Sequence, residues 1–217
     1  MEAPAPNTRI LAPSTAVEYT FHPMPSHRLF VALEPSEAVR RRVAALAAGL
    51  RQAAGRAGGE VRWIPDENLH LTLHFLGAVP EERLAGVHQV VGAAAAAARA
   101  LSLEVKGAGG FPNARRPRAR WRGRAGDVDA LTALTADLGR RLAPLGFPPG
   151  SRPFAAHLTV GRARDAKGAP GLGGALAASA QAEGVAWRAA ELTLFESHLS
   201  PRGPHYEAIL RAPLGGG

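Results

Sequence analysis

The 217-residue chain contains no cysteine, which excludes a disulfide framework and any thiolate metal site and makes a reducing compartment the simplest setting. Lysine is nearly missing too: Lys106 and Lys167 are the only two among 26 basic residues. Neither is followed by Ser or Thr in the frame of a phosphate-binding Walker loop, and "GLGG" at 171–174 offers only a glycine turn. Lys106 also lacks the acidic neighbour of the Lys-x-Asp-Gly used by nucleotidyl-transferring ligases, which argues against ATP-dependent ligation. No apolar run approaches the roughly 20 residues of a membrane span, because Arg or Gly interrupts each Ala-rich stretch. A soluble cytoplasmic protein with no membrane partner is therefore expected, and a monomer.

What the chain does contain is arginine, giving a formal net charge of +8, and 46% hydrophobic residues, enough for one large domain or two small lobes. Positive charge favours a polyanionic partner. The same Arg-, Ala-, Gly- and Pro-rich profile also follows from a GC-rich genome, so charge alone does not select one.

Residues 1–27 carry no sustained period of 2 or 3.6 and read as a poorly ordered extension without the features of a secretory signal; Met24 is an alternative start. From Arg28 onward strands and helices alternate. "RLFVAL" reads as a strand, Pro35 opens a helix to about Ala54, "LHLTLHFLG" is a strand closed by Gly77, and Pro80 opens a second helix. "LSLEV" and "ARWRG" read as a strand pair across a loop built on Gly109, Gly110, Pro112 and Asn113, and Asp127 can cap a third helix. The second half repeats the scheme with strand "HLTVG", an Ala-rich helix around 172–182, and strands near "AELTLFES" and "HYEAIL". These elements outline two similar α+β lobes.

"HLTL" at 70–73 and "HLTV" at 157–160 place the same motif once in each half. Strand alternation puts His70 with Thr72 on one face and Leu71 with Leu73 on the other, and treats His157, Thr159, Leu158 and Val160 alike. Two imidazoles with ordinary pKa near ~6.5 suit one proton removed and another supplied at neutral pH. Two hydroxyls between them can hydrogen-bond a phosphate. Metal-free phosphodiester cleavage fits this set better than peptide or ester hydrolysis, which needs a nucleophile and an oxyanion hole. His70 and His74 have the spacing of a helical zinc pair, but four strand residues span about 13 Å, too far for one ion. Alternation leaves His74 on a rim or in solvent, and assigns Phe30 and Phe75 to the scaffold. In "RRPRARWRGR" an extended chain puts Arg118, Arg120, Arg122 and Arg124 on one face, either a solvated edge or a rail for an RNA backbone, with Trp121 on the other.

With these residues in view, the chain from 28 to about 214 resembles the two-histidine phosphoesterases, most closely the RNA 2′,3′-cyclic phosphodiesterases also called 2′-5′ RNA ligases. "RLFVAL", "VRWIPDENLHLTLHFLG", "GAGGFPNARRPRARW", "RPFAAHLTVGRAR" and "LTLFESHLSPRGPHYEAI" carry the resemblance, in family order. It implies a single bilobal α+β domain over 28–217, with two antiparallel sheets, flanking helices and a central cleft holding both His-x-Thr-x motifs. It further implies that His70 is the acid and His157 the base, and that Thr72, Thr159 and Arg162 hold the phosphate. No metal and no cofactor are implied. Ala156 stands where the family usually has Pro, and Arg120 where an aliphatic residue is common. The implied activity is hydrolysis of 2′,3′-cyclic phosphates on RNA or nucleotides to 2′-phosphomonoesters. The alternatives are ATP-independent 2′-5′ RNA ligation by the reverse reaction, and a non-catalytic RNA-binding module.

Overall fold

A computed structural model describes residues 25–53, 55, 61–111, 118–163, 176, 184–201 and 203–215. Residues 1–24 of the extension expected over 1–27, with the alternative start at Met24, and the helix expected around 172–182, apart from Leu176, lie outside them; the extension ends earlier than expected, because Ser26 and His27 already belong to the first strand, paired with Pro80 and Val79.

Among the described residues, nine strands and three long helices follow in the order β1 (Ser26–Leu33), α1 (Glu37–Ala53), β2 (Val61–Trp63), β3 (Leu71–Pro80), α2 (Glu81–Ala97), β4 (Leu101–Phe111), β5 (Arg118–Gly126), α3 (Val128–Leu142), β6 (His157–Ala163), β7 (Val185–Ala189), β8 (Glu191–Ser200) and β9 (Gly203–Pro213). Pro80 sits at the N-cap of α2, where its missing N–H costs nothing and its fixed φ of −61° leads into the helix. Asp127 holds the N-cap position of α3 but does not cap it: its carboxylate instead accepts the Ser102 N–H at 2.8 Å and a paired bond from Arg99. Arg99 and Ser102 hold that carboxyl down at about 2.

The fold is α+β, built on two antiparallel sheets. One has the strand order β3-β1-β8-β9 and the other β2-β6-β5-β4-β7. The sheets do not coincide with the halves of the sequence: β2, β4 and β5 leave the first half to join the second sheet, and the hairpin β8–β9 returns to complete the first. Strand β4 also runs on to Phe111, pairing Gly109 with Arg120 and Gly110 with Ala119, so those glycines lie in the ladder and not in the expected loop. Helix α1 packs against β6 and β7, whereas α2 packs against β3, β1, β8 and β9. A single apolar cluster joins both sheets, taking Leu29, Val31 and Leu194 from the first and Val105, Leu158 and Trp187 from the second. Among the described residues no helix is long and apolar enough to cross a membrane.

Candidate active site

His70 is the residue immediately before β3 and His157 the first of β6. Both are fixed by the same local bond. The Nδ1–H of His70 donates to the Asn68 carbonyl at 2.7 Å, and that of His157 donates to the Ala155 carbonyl, also at 2.7 Å. Because a carbonyl can only accept, each bond assigns the proton to Nδ1 and leaves Nε2 as the basic nitrogen.

The surroundings of His70 are aromatic. Its ring stands 4.8 Å from Phe30, 5.2 Å from Tyr206 at 90°, and 6.3 Å from Phe195. Phe30, Ala32 and Phe195 form a second, small buried cluster on this face of the first sheet, separate from the main core. Burial pushes the His70 pKa down to about 4, opposed by the Asn68 carbonyl. The charges of Arg162 and His157 depress it further, while Glu34 raises it. His157 and Arg162, both on the second sheet, are thus within electrostatic reach of His70 on the first.

The side of β6 that Arg162 occupies is set by an irregularity. Ala119 of β5 faces Gly161, but its neighbour Arg120 faces Thr159, so Val160 is an extra residue on β6. Such a bulge restarts the alternation one residue out of phase. Leu158 and Gly161 then share the core side; a Cβ added to Gly161 would lie 2.7 Å from Val61 Cγ1 and 3.3 Å from Trp63 Cε3. Arg162 moves to the side of His157 and Thr159 and is exposed there. Without the extra residue the five-residue spacing from His157 would turn Arg162 into the core.

Strand β3 contains the same device twice, and it overturns two sequence expectations. Val31 faces His74 but Ala32 faces Thr72, leaving Leu73 extra, and Leu76 is extra between Phe75 and Gly77. His70 and Thr72 keep the expected shared face, Thr72 lying half-buried opposite Ala32. His74, expected on a rim or in solvent, is instead buried on the core side at 5% exposure, donating Nε2–H to the Phe147 carbonyl at 3.1 Å. Phe75, expected in the scaffold, is 70% exposed on the His70 side, 6.0 Å from the Phe30 ring.

Strand β5 places its arginines by register. Arg118 is opposite Arg162, Arg120 opposite Thr159 and Arg122 opposite His157, while Trp121 holds the position opposite buried Leu158. Arg124 falls out of this row, because Gly123 and Ala125 face consecutive residues of β4. One residue that sequence reasoning passed over belongs here as well. Arg62 of β2 is directly opposite Arg162 on its other flank. Its signal was an apolar-Arg-apolar alternation only three residues long.

Two antiparallel sheets thus each carry a His-x-Thr sequence whose imidazole is anchored through Nδ1. The family model described as LigT like Phosphoesterase matches residues 33–121 and 126–206, and the chain belongs to that family. A Methanothermobacter thermautotrophicus protein named RNA 2′,3′-cyclic phosphodiesterase is 31% identical over 82% of this chain and 94% of its own. An Archaeoglobus fulgidus protein of the same name is 33% identical over 84% of this chain and 97% of its own. The crystal structure of E. coli LigT complexed with 3′-AMP superposes with a TM-score of 0.67 at 24% identity, covering 88% of this chain and 99% of that one, and shares the fold.

Proposed function

We propose that the chain hydrolyses 2′,3′-cyclic phosphates on RNA ends or nucleotides to 2′-phosphomonoesters, in a cleft between the two sheets where both His-x-Thr motifs meet. The observation that carries this reading is the pair of imidazoles held in one tautomer by one local frame, with Arg162 in reach of His70. Its support from kinship is the common name of the relatives.

In the proposed step Nε2 of His157 takes a proton from water as its oxygen bonds to phosphorus. The bond from phosphorus to the ribose 3′ oxygen breaks, and that oxygen leaves with a proton from Nε2 of His70. The phosphate stays on the 2′ oxygen. Thr72 and Thr159 donate to the non-bridging oxygens, and Arg162 balances their charge. Burial keeps His70 neutral in the unliganded protein, so it takes up its proton together with the anionic substrate, whose charge offsets that of Arg162. Exposed Phe75, on the same face, offers a surface for a base.

Cyclic-phosphate-ended RNA incubated with the protein in EDTA tests this directly, with products identified with and without an added 5′-hydroxyl strand. Conversion to a 2′-phosphate is the expected result. A joined 2′-5′ product would show the reverse reaction, with the 5′-hydroxyl in the place of water. Binding without turnover by the wild-type protein would leave an RNA-binding module and overturn the hydrolase reading.

A further inference from the structure

The two flanks of Arg162 both carry arginine: Arg62 on β2 and, by register, Arg118 on β5. Like charges placed directly opposite across strands destabilise a sheet, so three in one row are a cost the fold would shed by a single substitution. Neither Arg62 nor Arg162 forms an ion pair with a carboxylate among the described residues, whereas Arg40, Arg99, Arg140, Arg141 and Arg211 all do. Arg62 is exposed, and direct pairing puts it on the face of Arg162, the one shared with His157 and Thr159.

Its guanidinium points somewhere specific. A Cβ added to Gly203 would lie 2.6 Å from Arg62 Nη2, so the guanidinium occupies the space that any other residue at 203 would fill. Gly203 opens β9 of the first sheet and has a φ of +127°, a conformation that also favours glycine. Arg62 therefore spans from the second sheet to the β8–β9 hairpin of the first. Next to it, Asn68 Nδ2 donates to the Pro204 carbonyl at 3.1 Å and fixes the hairpin against the segment leading to His70. Arg162 is among the charges that shift His70, and Arg62 is not. The two arginines thus start from facing positions and serve different places, one near the imidazoles and one further out along the hairpin.

We propose that Arg62 binds a second phosphate, the phosphodiester immediately 5′ to the cyclic end of an RNA, and that the site is built for a polynucleotide terminus over a free cyclic mononucleotide. This rests on the hydrolase reading above. The direction follows from the substrate: a terminal 2′,3′-cyclic phosphate has further phosphates only on its 5′ side. A mononucleotide has no group to place on Arg62.

The test compares kcat/KM for a short RNA ending in a 2′,3′-cyclic phosphate with that for a nucleoside 2′,3′-cyclic monophosphate. In Arg62→Ala the ratio of RNA to mononucleotide kcat/KM should fall about tenfold, mainly through the KM for RNA. The slope of log kcat/KM for RNA against log salt should become shallower by about 0.7, the release expected for one lost single-strand phosphate contact. Arg62→Lys should restore most of the ratio, since a point charge suffices. An unchanged ratio overturns the proposal, whether because both substrates suffer alike, which puts Arg62 at the cyclic phosphate or in support of the hairpin, or because neither does. Failure of the wild-type protein to turn over either substrate is a different result, and it defeats the hydrolase reading itself.

Discussion

His70 and His157 make the same hydrogen bond in very different company. His70 sits at the edge of the first sheet among Phe30, Tyr206 and Phe195, with its pKa pushed down to about 4. His157 sits inside the second sheet, half-buried, with Arg122 opposite on β5. A hydrogen bond two residues upstream chooses the tautomer and so which nitrogen can act. The wider environment chooses how readily that nitrogen holds a proton. The difference teaches that a repeated motif supplies the groups, and that the walls around one copy can move its imidazole away from ordinary basicity, as they do for His70.

The strongest attempt to break the comparison is to remove either partner. His70→Ala and His157→Ala should each lower kcat by about 10²- to 10⁴-fold on cyclic-phosphate-ended RNA. The double variant should be little worse than the weaker single one, because the two act as a unit. Full activity in either single variant would sink the mechanism.

Next in size, Arg162→Ala should cost about 10- to 100-fold in kcat/KM by losing a charge-assisted contact to the phosphate. It should also raise the His70 pKa, since Arg162 is one of the charges holding it down. An activity loss with an unmoved His70 titration would place Arg162 outside the site.

The titration itself sharpens the contrast. In the free protein the His70 ring protons, followed by NMR, should show a midpoint near 4, shifted upward when inorganic phosphate is bound. Tyr206→Leu should shift it upward as well, by opening the ring to water. A midpoint near 6.5 in the free wild-type protein would show that burial does not depress His70.

The smallest effect concerns stability, where His70 and His27 have opposite signs. His27 bridges Glu81 and Glu196, at 2.5 and 2.9 Å, and both carboxylates raise its pKa above 6.5. Its contribution is complete below about 6.5 and fades as pH rises through the folded-state value. For His70 the folded-state pKa is lowered, so the unfolded chain binds the extra proton between about pH 4 and 6.5, and stability is lost as pH is lowered through that window. The Tm difference between wild type and His27→Gln should therefore be larger at pH 6 than at pH 9. Equal differences at both would show that the bridge is not carried by charge.

The sequence made some of this legible and hid the rest for physical reasons. Alternation places His70 with Thr72 and His157 with Thr159 because no extra residue falls within either pair. It misplaces His74 and Phe75 because Leu73 and Leu76 look like any strand leucines, and only the neighbouring strand reveals them as bulges. Arg162 came from resemblance alone, and Val160 supplies the geometric reason for it. Sheet membership was not readable either. Which strand pairs with which is decided by contacts far apart in sequence, and the return of β8 and β9 to the first sheet leaves no local trace.

That return has a consequence for how the molecule comes into being. Two of the three rings around His70, those of Phe195 and Tyr206, belong to the last hairpin, more than 120 positions downstream of the imidazole they enclose. A ribosome emitting the chain from its N-terminus delivers both histidines, both threonines and Arg162 before it delivers that enclosure. A nascent or prematurely ended product thus carries His70 without two of its three aromatic neighbours. The aromatic enclosure of that imidazole is complete only when synthesis has passed Tyr206.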